Sequence, residues 1–225
     1  MSRYERLEKL IGTEKLNKLK NSKIIIFGLG GVGSYACETL ARSFIGKMTL
    51  VDYDTVDETN INRQLCALDD TVGKLKTEIM AQRIRLISPE TQIKIINQMY
   101  LPENRDLFNL DEYDYVVDAI DNITAKIDLA KYCFENEIPL ISAMGTGNKM
   151  HPELLQISDI NKTSVCPLCK VMRRELKKRN INKLTVVYSK EEPLVKYSNL
   201  ISSSAFVPAA AGIMLASYVV NQLIG

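Results

Sequence analysis

A single histidine, no cysteine after Cys169 and almost no surplus of charge leave several kinds of chemistry without their usual residues. His151 precedes Pro152 in a stretch that reads as loop, so a surface imidazole is expected there rather than a catalytic base. The five cysteines, Cys37, Cys66, Cys133, Cys166 and Cys169, are odd in number and scattered, which argues against a disulfide framework. The charged start, Met1 to Arg6, carries no signal peptide, and the two features together set an expectation of reduced thiols in the cytoplasm. Cys166-Pro167-Leu168-Cys169 is half of a structural zinc site, but no second pair follows, so zinc is not expected. Nor does the pair follow the first strand of a thioredoxin-like pattern, and packing at a helix start is the reading preferred to a redox role. The net charge of +2 does not imply a nucleic-acid partner, so any basic patch must be local. Glycine and proline are ordinary, at 11 and 7, which speaks against disorder and against a fibrous class. A 225-residue chain that is 46% hydrophobic can bury one sizeable core.

The stretch from Lys23 to Arg63 organises the rest. Ile24 to Phe27 is a short apolar run of the kind buried on both faces of a sheet, and it empties into Gly28-Leu29-Gly30-Gly31-Val32-Gly33-Ser34. A helix over Tyr35 to Phe44 follows, then a strand, Met48 to Val51, ending in Asp52. Gly28 permits the tight turn, Gly30 lets backbone approach a phosphate, and Gly33 lets the helix pack on the sheet. The helix N-terminus offers free N–H groups to that phosphate, and Asp52 can accept from both ribose hydroxyls. This order serves NAD, FAD and ATP alike. Beyond Asp52 the chain is polar and reaches Arg63, with Lys74 and Lys76 soon after. A triphosphate needs such cations, because its outer phosphates extend past the glycine turn; a dinucleotide does not.

Residues 3–20 read as one or two amphipathic helices with Leu7, Leu10, Ile11, Leu16 and Leu19 on a shared face. Lys74 to Ile87 reads as a helix with Leu75, Ile79, Ile84 and Leu86 inward, stopped by Ser88-Pro89. Lys76, in its first turn, opposes the helix dipole unless an anion meets it; otherwise it is a solvated lysine. Strands are expected at Ile93 to Asn97, Tyr113 to Ala119, Ile138 to Ala143, Leu154 to Ile160 and Val186 to Ser189, the last followed by a polar loop through Ser204. The second of these ends in Asp118-Ala119-Ile120-Asp121-Asn122, on the edge where ligands bind such sheets. Asp121 is then a metal ligand or the cap of a helix from Asn122 to Glu135. Lys170 to Lys183, with seven basic residues and one acid, would put Arg173, Arg174, Lys177 and Lys178 on one helical surface, as a solvated face or as a phosphate contact. Ala205 to Ile224 is long and apolar enough for a membrane span. Pro208, Ser217, Tyr218, Asn221, Gln222 and the missing basic flank favour a buried helix of a soluble core, with membrane association left open.

GLGGVGS, VDYDTVDETNINRQ, VGKLK and DAIDN together resemble the nucleotide-binding core of the ubiquitin-activating-enzyme-like (ThiF/MoeB/HesA) superfamily of adenylate-forming enzymes. Ser142 to Lys178, with KTSVCPL and MRREL, narrows the resemblance to the branch that dehydrates threonylcarbamoyladenosine in tRNA. The likeness implies one α/β domain with a Rossmann-like, mostly parallel doubly wound sheet: a helical cap (1–22), a nucleotide-binding core (23–143) and a substrate-side extension ending in a buried helix (144–225). It implies ATP and Mg2+ as cofactors, and it leaves open a monovalent cation (K+ or Na+) and a sulfur-transfer protein partner. By resemblance Gly30 and Gly31 hold the α-phosphate, Asp52 the ribose, Arg63 and Lys76 the outer phosphates, and Asp121 the magnesium. Gly28, Gly33, Ser34, Asp54, Asn60, Gln64 and Asn122 complete the nucleotide site. Arg6 would reach across a homodimer interface into the partner's site.

The expected reaction is transfer of AMP to a carboxylate, which turns a poor leaving group into a good one; ring closure then expels AMP. Three rivals remain at this point. Activation of the C-terminal glycine of a ubiquitin-like sulfur carrier predicts a diglycine partner. An NAD-dependent oxidoreductase predicts indifference to Arg63→Ala. A nucleotide-regulated binding module predicts no release of pyrophosphate.

Overall fold

The computed structural model describes residues 2–195 and 202–225. Part of the polar loop expected before Ser204 lies outside these. Among the described residues seven strands form one sheet: β1 (Lys23–Phe27), β2 (Lys47–Val51), β3 (Gln92–Ile96), β4 (Tyr115–Asp118), β5 (Leu140–Ala143), β6 (Leu155–Asp159) and β7 (Thr185–Ser189). Their order is β3-β2-β1-β4-β5-β7-β6, and every pairing is parallel except the last, β7 with β6. This is a Rossmann-like, doubly wound sheet with a mixed edge, as the sequence leads one to expect.

Strand periodicity divides the core into two layers. Ile24 and Ile26 face the layer of α2 (Thr13–Asn21), α3 (Gly33–Arg42), α4 (Lys76–Ile87) and α7 (Phe206–Ile224). Ile25 and Phe27 face α5 (Ile123–Glu135), and α6 (Pro167–Lys177) packs beyond it over Val186 and Tyr188. All four residues of this run are fully buried, worth about 1.5–3 kcal/mol each relative to exposure. The N-terminal helix α1 (Glu5–Ile11) packs on α2, which packs in turn on α7, with Leu16 and Leu19 buried. Leu10, expected on their shared face, is 80% exposed, because Gly12 breaks the helix and turns α2 to a new direction. Leu86 is likewise exposed: α4 turns Met80, Ala81 and Ile84 inward, so Leu86 falls on the outer face.

α7 is the one helix among the described residues with the length and hydropathy to cross a membrane. It lies across α3, burying Val207, Ala211, Leu215, Ala216 and Val219. A Cβ on Gly212 would sit 2.2 Å from the Val32 carbonyl oxygen, so the crossing requires glycine.

Candidate active site

The strand order reverses between β1 and β4, and the loops leaving the carboxyl ends of these parallel strands form a crevice there. Gly28, with φ of +83°, turns the chain sharply after β1, and the Ala119 amide donates to the Phe27 carbonyl at 2.8 Å, clasping the two loops together. A Cβ at Gly28 would lie 2.6 Å from Ala119 O, and one at Gly33 only 1.8 Å from Gly28 O. Helix α3 thus begins directly against the turn. Among the described residues the amides of Gly30, Gly31 and Val32 donate to nothing, which leaves an unclaimed set of N–H groups at a helix N-terminus, where an anion is favoured.

Ser34 and Asp52 shape this cradle from behind. The Ser34 hydroxyl, fully buried, donates to Gly30 O at 2.6 Å and accepts from the Leu65 amide at 3.2 Å, tying the turn to the segment that carries Arg63. Asp52 accepts from the Leu29 amide at 2.6 Å through one oxygen and from the Asp54 amide at 2.8 Å through the other. Each oxygen keeps a second lone pair, so a diol can still be bound.

The cations stand around the cradle in different states. Lys76 is 5% exposed and its ammonium meets the half-exposed Asp54 at 2.8 Å, while its amide donates to Asp54 O at 3.1 Å. Arg63 folds back on its own loop, donating to Thr59 O at 2.9 Å and to Asn62 Oδ1 at 2.8 Å. The loop itself is held by Asn60, whose Oδ1 accepts from the Asp57 amide in a capping box. Gln64 is buried under Gly30, its Nε2 3.7 Å from where a Cβ there would be.

At the end of β4 the two readings of Asp121 separate. Helix α5 is capped by Asn122, whose Oδ1 accepts from the Ala125 amide at 3.0 Å. Asp121 is exposed and free of that duty. The nearby carboxylates of Asp54, Asp121 and Asp52 help to hold the Tyr53 phenol above its usual pKa, Asp54 most strongly, with slight burial adding to it. All three acids thus lie near enough to Tyr53 to act on its charge. Among the described residues no three acidic, histidine or cysteine side chains form a ready metal cage. Magnesium suits such a place, since it takes one or two carboxylates and completes its shell with phosphate oxygens and water.

Sequence reasoning missed what lies beneath. Asp118 and Lys126 form an ion pair at 2.8 Å with both side chains 1% exposed, and the Ser142 hydroxyl donates to the same carboxylate oxygen. The other Asp118 oxygen accepts from the Ile120 amide at 3.0 Å, which fixes the loop carrying Asp121. The available signal was a lysine sharing the buried face of α5 with Ala125, Leu129, Ala130 and Cys133. Cys66, beside the turn, is pushed up to about 11 mainly by burial, which makes it a poor nucleophile. Arg6 is exposed on α1 and has no hydrogen-bond or ion-pair partner among the described residues. His151 is exposed and pairs with Glu153 at 2.8 Å.

The basic helix is less uniform than its sequence suggests. Arg173 turns inward to Thr163, and Arg174, Lys178 and Arg179 gather around Glu175; Lys177 stays exposed. The expected continuous face of Arg173, Arg174, Lys177 and Lys178 is thus divided, because one acid within reach of three cations collects them.

The sequence profile of the ThiF family matches residues 4–225. The chain is 43% identical over 242 aligned positions to the tRNA threonylcarbamoyladenosine dehydratase of Bacillus subtilis, covering all of this chain and 95% of that protein. It is 44% identical over 176 positions to the enzyme of the same name from Haemophilus influenzae, covering 78% of this chain and 67% of that protein. Among solved structures it is similar to the Escherichia coli tRNA N6-threonylcarbamoyladenosine dehydratase in complex with ATP, with a TM-score of 0.93 at 35% identity over 99% of this chain and 93% of the other.

Proposed function

The chain belongs to the ThiF family, and from that premise we propose that it catalyses the ATP-dependent dehydration of threonylcarbamoyladenosine in tRNA. The observation that carries this reading is the end-to-end likeness to dehydratases, in sequence and in fold, around a cradle of unclaimed amides. ATP lies with its α-phosphate on the Gly30, Gly31 and Val32 amides and its ribose on Asp52. Lys76 and Arg63 then exchange their present partners, Asp54 and the Thr59 carbonyl, for the outer phosphates. Magnesium, where bound, neutralises phosphate charge, and Asp121 with Asp54 would hold it. The threonyl carboxylate attacks the α-phosphorus and pyrophosphate leaves. The carbamoyl nitrogen then attacks the acyl carbon, loses its proton and expels AMP, so that one water is lost overall for one ATP cleaved to AMP and pyrophosphate. The protein's part is positioning and charge stabilisation, and no side-chain nucleophile is required.

A homodimer extends this reading. Arg6 is exposed and unpartnered among the described residues, and the apolar Phe206 and Ile213 of α7 are exposed, as a second copy bringing Arg6 to its neighbour's phosphates would require. Lys177 and the cations around Glu175 supply a salt-sensitive contact for the tRNA backbone. A cytoplasmic setting accords with a tRNA substrate.

The test is direct: incubate the protein with magnesium-ATP and tRNA bearing threonylcarbamoyladenosine, digest mildly and weigh the nucleoside. Loss of one water with release of AMP is expected. Pyrophosphate exchange only in the presence of a diglycine carrier protein would instead move the substrate to the ubiquitin-like class.

A further inference from the structure

Lys149 is 3% exposed, and its ammonium nitrogen is one of only two buried side-chain polar atoms among the described residues with no hydrogen-bond partner. A buried lysine without a partner is costly unless something nearby answers its charge. The ionisable groups near enough to act on its charge are Cys166, Cys169 and Glu191. Glu191 is already occupied, its carboxylate accepting from the Met150 and His151 amides at 2.8–3.1 Å.

The two cysteines are free and buried, three residues apart at the start of α6, with Cys166 at the N-cap position. Cys166 Sγ lies beside Gly145, 3.8 Å from where a Cβ there would be, in the loop that leaves β5 and runs on to Lys149. Cys166 is 2% exposed, while its chain neighbours Ser164, Val165 and Pro167 are all exposed. Val165 adopts φ of +49°, a left-handed conformation that a β-branched residue disfavours.

We propose that Cys166 and Cys169 form a reactive dithiol, with Cys166 as the nucleophilic thiolate and Lys149 as its buried counter-charge, and that this site exchanges with low-molecular-weight disulfides. The Cys166 thiolate attacks one sulfur of the small disulfide, whose S–S bond breaks and releases one thiolate. Cys169 then gives up its proton and attacks Cys166 Sγ, expelling the second small thiol. The protein loses two hydrogens and the small disulfide is reduced to two thiols, so the step balances.

The electrostatics of the pair point the same way. The neighbouring Cys169 lowers the Cys166 thiol most; burial opposes this, and backbone amides and Lys149 add to the lowering. Cys169 is raised by its neighbour Cys166 and by burial, while Thr163 and Arg173 counter this in part. Burial lowers Lys149, and the cysteines and Glu191 draw it back up. The remaining cysteines, Cys37, Cys66 and Cys133, are raised by burial, so they serve as internal references. These features set the dithiol apart from a packed helix start, which is all that its sequence spacing suggested.

The experiment is timed alkylation of the folded chain with iodoacetamide from pH 6 to pH 8, read peptide by peptide by mass spectrometry. An ordinary thiol gains about 100-fold in rate over that range as its thiolate fraction rises. Cys166 is expected to react ahead of the other four and to gain less than about threefold. Oxidised glutathione should then remove two hydrogens from the peptides holding Cys166 and Cys169 and from no others. A Cys166 rate that climbs 100-fold, or no reaction at Cys166 within the time that unfolds none of the chain, overturns the proposal. Lys149→Met, checked for native circular dichroism, should steepen the profile at Cys166; an unchanged flat profile in that variant would remove Lys149 from the assignment. If that variant does not fold, Cys169→Ser tests the same site, since loss of its thiol donor should also steepen the Cys166 profile.

Discussion

Asp121 and Arg63 are the residues on which the proposed chemistry leans most, and they stand differently in the free protein. Asp121 is exposed, whereas Arg63 rests on Thr59 and Asn62 and must be drawn away by phosphate. Removing either charge should lower the rate of water loss from the modified tRNA by about 100- to 1,000-fold, the usual effect of deleting one transition-state charge contact. Single-turnover assays of Asp121→Asn and Arg63→Ala check this, and wild-type turnover in both would sink the site assignment. Lys126 is a different kind of residue, since it touches no ligand and acts through Asp118. Lys126→Met leaves a carboxylate buried without its partner and should cost about 3–5 kcal/mol in urea unfolding. Adding Asp118→Asn should recover part of that loss, because the stranded charge is then gone.

At the scale of elements, the contact of α7 with α3 governs the cradle, because Val32, the residue under Gly212, belongs to the glycine turn itself. Gly212→Ala should destabilise the chain by about 1–3 kcal/mol through overpacking. The same shift should weaken ATP binding, measured by calorimetry, more than a substitution on the outer face of α7 does. The joint between α3 and α4 carries a pH dependence. Burial raises Glu38, but its bonds with Arg83 and Arg42 outweigh this and leave it below the ordinary value of 4.5. A depressed carboxylate contributes stability that is complete above its unfolded pKa and is lost as pH falls through the folded one. The wild-type chain should therefore lose more stability than Glu38→Gln on acidification from about pH 5 downward, as thermal melts at stepped pH would show; parallel curves would dismiss the joint as a pH-dependent element.

For the molecule as a whole, the question is whether one chain makes a complete site. If Arg6 acts on its partner's nucleotide, Arg6→Ala and Asp121→Asn homodimers should each be nearly inactive. Mixing and re-equilibrating them should restore about a quarter of wild-type activity, since half the dimers then carry one intact site of two. No recovery on mixing, with subunit exchange verified by labelled chains, would return Arg6 to the solvent. Much at this scale was legible beforehand: a strand buried on both faces, a glycine turn, a helix and an acid admit few arrangements other than a nucleotide-binding α/β sheet, and Gly28 to Gly33, Asp52 and the loop ending in Asp121 meet at its switch point.

Local order along the chain determined the elements, because periodicity, glycine position and strand-end acids are properties of neighbouring residues. Tertiary structure alone decided the pairings between distant ones. Asp118 and Lys126 make an ion pair only because α5 folds back on β4, and Asp54 reaches Lys76 across 22 positions of chain. Leu10 and Leu86, apolar by type, are left outside because helix orientation, not composition, selects the buried face. Nothing in the local sequence singles out Lys149, and it is the fold that buries it near two thiols. Burial is a property of the whole packing, and it is burial that turns an ordinary side chain into a charged group in need of an answer.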